Sequence, residues 1–400
     1  MLNIKVAKKN SLRWLLCFFH GMLLMIITFL WTNSIYTYEN EVLLVKWSNI
    51  IKHVFIKDRD LEGNDFLFID LSYEKSLIPH EDGIGNEVIT NRAKLAEFFN
   101  IIKSNPHIVK FILCDVLLKG KSEDDSLLKK SIGNLTNVIF PLIISDSGKV
   151  EKPIFNVPGG IVEYETVNES VYSKFSLFQN DSVKTLPLAM YEAIEKKQFK
   201  SFWGFHTEGP YLCLNSIVTD YPVRPYQIFT AHKYPVINLS ELLSLPPRVI
   251  NEQFLKNRIV CMGDFTNDTH ETVLNKMPGT LILLNNYLSL KLGYHHIHLL
   301  WAFLLLITYS VLSYNVFYSG SKSEAKNTFV SLFFDSLFKY VLILIVISLA
   351  SYLFFHIQIN ILVIGVYLNI LHSVVHYKNQ IEKMWIKDVV LSVKKIFYKS

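Results

Sequence analysis

The sequence predicts an extracytoplasmic α/β domain, mainly a parallel sheet with flanking helices and added antiparallel strands, carried on four transmembrane α-helices. Three observations predict it. Apolar residues are bunched into long uncharged runs, the region between the first two runs alternates strand and helix signals, and basic residues gather near both chain ends. Half of the 400 residues are hydrophobic, and such a share bunched rather than dispersed places the chain in the membrane class.

Residues 14–31 (WLLCFFHGMLLMIITFLW) carry no charge over 18 positions, about the length that crosses a hydrocarbon core of ~30 Å. Further runs cover residues 297–318, 334–355 and 359–375. The last two are split only by His356-Ile357-Gln358, which reads as a tight helical hairpin; one re-entrant hairpin is the alternative. The expected layout is an amino-terminal segment 1–13, a first span 14–33, an outer domain 34–296, a loop 319–333 and a tail 376–400. The first run has the basic flank of a signal peptide. It is longer than an apolar signal core, and no A-x-A-like site follows, so an uncleaved anchor is expected.

Orientation follows from lysine and arginine near the span ends. Lys5, Lys8, Lys9 and Arg13 precede the first span, and Lys378, Lys383, Lys387, Lys394, Lys395 and Lys399 follow the last. Four spans put both ends on one side, and both ends are basic. The expectation is a multi-pass protein of the cell inner membrane, with both termini cytoplasmic and the large domain on the periplasmic or extracellular side. The net charge of +5 thus reflects topology, and no nucleic-acid partner is expected. Cys17 lies in a span, while Cys114, Cys213 and Cys261 sit in apolar strand-like contexts. Buried free thiols are expected, with one disulfide pair as the alternative.

In the outer domain, Leu43, Leu44, Trp47, Ile50, Ile51, Val54 and Phe55 recur at helical spacing. The apolar face of this helix is expected to pack on the domain, with the bilayer surface as the alternative. Residues 66–70 (FLFID), 109–118 (VKFILCDVLL) and 137–144 (NVIFPLII) read as strands, and 91–104 and 122–132 as helices between them. Near-continuous apolar strands in β-α-β-α-β order argue for a parallel sheet covered on both faces. The middle is less regular. A helix is expected at 185–197, with antiparallel strands near 161–164, 171–177 and 211–218. Residues 258–264 (RIVCMGD) return to α/β style, and Pro278 suits the first turn of a helix ending near Gly293. That helix runs almost directly into the second span, a possible mechanical link.

Three predicted strands end in aspartate: Asp70, Asp115 and Asp264. In an open parallel sheet the carboxyl ends of the strands form the ligand-binding edge. Asp268 and His270 of GDFTNDTH would join them, and such a cluster suits a cationic ligand or a divalent metal. Aspartates so placed more often cap helices and tie loops, so the five residues are candidate ligand-binding residues. His270-Glu271 lacks the i, i+4 spacing of helical zinc ligands, and Gly159-Gly160 lacks a phosphate-binding pattern. No G-x-S-x-G, H-E-x-x-H or kinase motif set occurs. No catalytic residue, metal or cofactor is expected.

The stretch LKNRIVCMGDFTNDTHETVLNKMPGTLILLNNYLSLKLG (255–293) resembles the closing segment of type-2 CHASE domains, the cyclase/histidine-kinase-associated sensory extracellular domains. FLFIDLSYEKSL, TNRAKLAEFF, FILCDVLL and the acidic pair of SEDDSLLKKSI match the family's order of strand, helix, strand and acidic turn. PGGIVEYETVNESVYSKFSL resembles its middle segment, with Asn168-Glu169-Ser170 and Lys174 departing from the usual D-x-D-G-x-x-R. The resemblance covers about residues 35–296 and implies a sensory fold with one anchor before the domain and three spans after it. Members often continue into a cytoplasmic effector. Here about 25 residues follow the last run, so a stand-alone form is expected. The implied protein is a non-catalytic receptor for a small-molecule or envelope signal. It would work through a membrane or cytoplasmic protein partner, or as a homodimer. The competing expectation is a structural or assembly subunit of an envelope complex.

Overall fold

A computed structural model describes residues 2–34, 39–55, 61–80, 84–133, 135–145, 149–151, 153–162, 171–179, 183–202, 205–318 and 329–378. Most of the expected basic tail, most of the loop expected at 319–333, Asn134 and Asn168-Glu169-Ser170 lie outside the described residues, and the last five loop positions begin the helix Phe329–Phe355. The chain forms two compact units, Ser34–His296 and Met1–Asn33 with Ile297–Ser400.

The first unit is built on six strands: β1 (Phe66–Asp70), β2 (Phe111–Cys114), β3 (Val138–Leu142), β4 (Gly159–Ile161), β5 (Val236–Asn238) and β6 (Ile259–Gly263). Their order is β5-β1-β6-β2-β3-β4, and every neighbouring pair is parallel. Strands buried on both faces need apolar side chains at successive positions, not alternate ones. On one face Leu67, Ile69, Ile112, Val138, Phe140, Val260 and Met262 pack with Leu95, Phe98, Phe99 and Ile102 of helix Arg92–Ser104 and with Leu128 and Ile132 of helix Asp125–Ile132. The intervening residues, among them Phe66, Phe68, Leu113, Ile139 and Cys261, are equally buried. Helices Leu186–Glu195 and Gly279–Lys291 lie against that side of the sheet, on β3, β4 and β6. The helix Arg92–Ser104 starts where Asn91 turns its side chain back to accept from Lys94 N at 3.1 Å, which satisfies one orphan donor of the first turn.

Several expectations need correction. The strand expected at 161–164 ends at Ile161 and pairs parallel with β3, so it extends the main sheet. The other two middle pieces are antiparallel: Lys174–Ser176 pairs with Ser216–Val218, and Tyr211–Cys213 with Phe205–Glu208. The edge strand β5 and the hairpin Lys75–Pro79 with Asn86–Thr90 were not expected.

The helix Glu39–Phe55 is the larger surprise, because its apolar stripe faces outward. Leu43, Trp47, Ile50, Val54 and Phe55 are exposed, whereas Glu41, Ser48, Asn49 and Lys52 are buried. The inward face is claimed by ion pairs. Glu41 meets Lys174, and Lys52 meets Asp220, all four side chains being almost wholly buried. Charges in that position are tolerable only when paired.

In the second unit, Asn10–Thr32, Leu299–Tyr318 and Ile361–Lys378 are long and apolar enough to cross a membrane. Ile361–Lys378 corresponds to the fourth expected span, 359–375, whereas the third, 334–355, is represented by Lys339–Phe355, apolar but shorter than the other three. The first two helices pack closely. A Cβ on Gly21 would stand 2.7 Å from Ser310 Oγ, so the missing side chain lets the backbones approach. Across the same interface Trp14 stacks on Tyr314 at 4.5 Å, and the Thr28 and Tyr309 hydroxyls lie 2.7 Å apart. Leu16, Phe19, Leu23 and Leu30 are exposed outward, as lipid-facing residues would be.

Gly160 is a packing glycine: a Cβ there would meet Leu186 Cα at 2.5 Å. Backbone cannot yield as a flexible side chain can, so Gly160→Ala should cost about 1–3 kcal/mol. The expected outcome is a clearly lower apparent unfolding temperature of the full chain in mild detergent, measured by scanning fluorimetry.

Candidate ligand site at the carboxyl edge of the sheet

The register of the sheet decides which aspartates meet. β6 lies between β1 and β2, with Asp70 opposite Gly263 and Met262 opposite Cys114. The carboxyl ends of three adjacent strands therefore reach one level, and Asp70, Asp115 and Asp264 all sit there. A cavity of about 770 Å³ opens at this edge. Asp115, Asp264, Asp268 and His270 line it, with Lys75, Glu87, Lys119 and Tyr172.

Asp70 is not among the lining residues. Its Oδ1 accepts from Ser72 N at 2.9 Å and from Phe265 N at 3.4 Å, tying the loop after β1 to the loop after β6. Asp264 is also heavily engaged. Oδ1 accepts from the Ser72 hydroxyl at 2.8 Å and Asn267 N at 2.8 Å, and Oδ2 from Lys75 Nζ at 2.7 Å. Burial raises this carboxyl, but Lys75, both donors of Asn267 and Ser72 outweigh it, and the group titrates well below the ordinary carboxylate range. An acceptor so fully supplied has little capacity left for a ligand.

Asp115 behaves differently. Oδ2 accepts from the Thr280 hydroxyl at 2.8 Å, at the start of helix Gly279–Lys291. Burial, then the charge of Asp268, push its carboxyl up to about 7, against the opposing Thr280 hydrogen bond and the nearby His270. Asp268 and His270 form a pair with Nε2 2.9 Å from Oδ1, while the backbone of Asp268 accepts from Gly279 N at 2.9 Å. The hydrogen bond to Asp268 raises the His270 imidazole, against its burial and aided by the charges of Asp268 and Asp115. Tyr172 stands edge-on to His270 at 5.2 Å.

The structure thus brings Asp115, Asp268 and His270 together around one opening, adds Asp264 as a rim group, and turns Asp70 to loop architecture. Lys75, Thr280 and Tyr172 were missed by sequence reasoning. Lys75 had a usable signal, five residues beyond a strand-end aspartate. Tyr172 lies in the irregular middle of the chain, where no periodicity marks it. Asp115 can accept from a donor when ionised and donate when protonated, and Asp268 can accept. A small polar or cationic molecule matches that set. No protein-family model matches the chain, and no curated protein or solved structure is significantly similar to it.

The raised Asp115 carboxyl carries a signed pH dependence. Between the ordinary value of 3.8 and about 7 the folded protein holds a proton that the unfolded chain has released. Stability from this group is full below that window and is lost as pH rises through it. Asp264 has the opposite sign, its contribution being lost as pH falls through its depressed value. Asp115→Asn should flatten the fall in unfolding temperature between about pH 4 and about pH 7. A variant curve parallel to wild type across the window would exclude the assignment.

Proposed function

We propose that the protein is a membrane-anchored, non-catalytic receptor whose Ser34–His296 unit binds a small polar or cationic ligand outside the cytoplasm. The observation that carries this reading is the cavity at the carboxyl edge of a parallel sheet, where Asp115 and Asp268 face the opening. Such edges are the usual ligand sites of open α/β sheets. The sequence resemblance to type-2 CHASE domains supplies the word sensory. With that family goes a layout of one anchor before the domain and three spans after it, and an output passed to a membrane or cytoplasmic protein partner or to a second copy.

The orientation rests on the charge bias at the chain ends and is open to a direct test. The four native cysteines are buried, so background labelling is low. Lys129→Cys, at an exposed position of helix Asp125–Ile132, should react with an impermeant maleimide in intact spheroplasts. Labelling only after lysis would invert the topology.

A structural or assembly subunit of an envelope complex is the second reading. The outward apolar stripe of Glu39–Phe55, with Leu43, Trp47, Ile50 and Val54 exposed, favours it. The two readings separate by ligand response. A thermal-shift screen of small amines and amino acids on the detergent-solubilised full chain should give at least one compound that stabilises wild type. The double variant Asp115→Asn with Asp268→Asn should lose that shift while remaining folded. No shift in wild type, together with recovery of envelope-assembly proteins on mild purification, would sink the receptor reading.

A further inference from the structure

Away from the cavity, Cys213, His295 and His296 each bring one potential metal-ligating atom to within 4.8 Å of the others. Backbone pairing places them. Cys213 ends the strand Tyr211–Cys213, His296 bridges to it in antiparallel fashion, and Leu214 N donates to His295 O at 2.9 Å. Glu208, on the paired strand Phe205–Glu208, supplies a carboxylate at the same point. Its Oε2 lies 2.6 Å from His295 Nε2 and 3.1 Å from His296 Nε2, and the two imidazole centroids are 4.0 Å apart. Cys213, Glu208 and His295 are at most 4% exposed, and only His296, 17% exposed, reaches the surface.

Hydrogen bonding alone leaves this cluster unbalanced. One carboxylate oxygen serves two imidazoles. Among the described residues His295 Nδ1 is buried with no partner, and Cys213 Sγ reaches the Tyr211 carbonyl at 3.6 Å. Buried polar groups are seldom left this way without a reason. A thiolate, two imidazoles and a carboxylate make up a tetrahedral donor set for zinc, and four protein donors, three of them buried, are what a closed structural site has.

We propose that Cys213, His295, His296 and Glu208 bind a single zinc-type divalent transition-metal ion. Binding sends the Cys213 proton to solvent, moves each ring proton to the imidazole nitrogen that does not bind the ion so that both histidines stay neutral, and replaces the hydrogen bonds from the histidines to Glu208 by bonds to the metal. The thiolate and carboxylate charges cancel that of the ion, which suits a largely buried site. Around the ligands, the Tyr191 hydroxyl donates to Glu208 at 3.2 Å and holds the carboxylate in place. Lys197, 3.4 Å from Glu208 Oε1 and more than half exposed, can withdraw into solvent. The ion would staple the Phe205–Cys213 hairpin to residues 294–296, just before the helix that starts at Leu299. This site is independent of the ligand cavity: its donors are different side chains, and Asp268 and His270 are not needed.

The test uses the full chain in mild detergent. After incubation with zinc and desalting, mass spectrometry of the metal should find about one zinc per chain. Cobalt substitution should produce a thiolate-to-cobalt charge-transfer band. Cys213→Ser and His296→Gln should each lower zinc retention about tenfold or more, while Asp268→Asn leaves it intact. Wild type that retains no zinc and shows no cobalt–thiolate band overturns the proposal. So does zinc retained equally by Cys213→Ser and His296→Gln. Where a variant does not fold, the wild-type cobalt spectrum decides by itself.

Discussion

The strand Ile259–Gly263 is among the last parts of the Ser34–His296 unit in sequence, yet it occupies the middle of the sheet between Phe66–Asp70 and Phe111–Cys114. Its five residues are all buried. Nearly two hundred residues separate it from one neighbour, so the sheet cannot close until the chain has folded back over that distance. Closing so long a loop costs conformational entropy before any strand pairing repays it. Everything at the candidate site depends on that insertion. It sets Asp264 between the ends of the two earlier strands, carries Asp268 and His270 over the opening, and brings Thr280 onto Asp115. Gly263 makes the last approach possible, since a Cβ there would stand 1.8 Å from the Thr280 hydroxyl.

Much of this was legible in the sequence, but unevenly. Near-continuous apolar runs such as FLFID and FILC identified buried parallel strands, because only a strand covered on both faces has no polar alternate positions. The strand ends at Asp70, Asp115 and Asp264 could be marked for the same reason. Strand order could not, since parallel pairing leaves no turn signal and the insertion of the late strand is decided by tertiary packing. The short strands Gly159–Ile161 and Val236–Asn238, three residues each, are too brief for any periodicity. The helix Glu39–Phe55 misled for a specific reason. Its apolar stripe was plain, but the partners that draw its charged face inward, Lys174 and Asp220, lie far away in sequence.

The site shows the same division. A strand-end aspartate announces its position but not its use, which depends on the donors that fold around it. Asp264 and Asp70 are supplied by nearby loop groups, whereas Asp115 has the Thr280 hydroxyl and otherwise faces the cavity. Residue type was the same in the three cases and strand position nearly so, Asp70 closing its strand and Asp115 and Asp264 each following one directly. What separated them was a count of donors, and those donors come from residues as remote as Lys75 and Thr280.

The helix Gly279–Lys291 gives these local facts a common axis. It is buried from Gly279 through Leu290, polar residues included, so its polar side chains must be satisfied inside the protein. Asn285 bonds both the amide and the carbonyl of Val223, and Asn286 accepts from Thr219 at 2.9 Å. A helix held on all sides cannot bend or roll without breaking several such bonds, so it behaves as a rod of about 20 Å. Thr280 at its start touches Asp115. Beyond its end, Tyr294 N bonds back to Ser289 O, and His295 and His296 follow. Any displacement of Asp115 by a bound molecule must either break the Thr280 contact or move the rod. Because the helix interior resists deformation, the second course would carry the movement to the segment from which the chain runs on to Leu299.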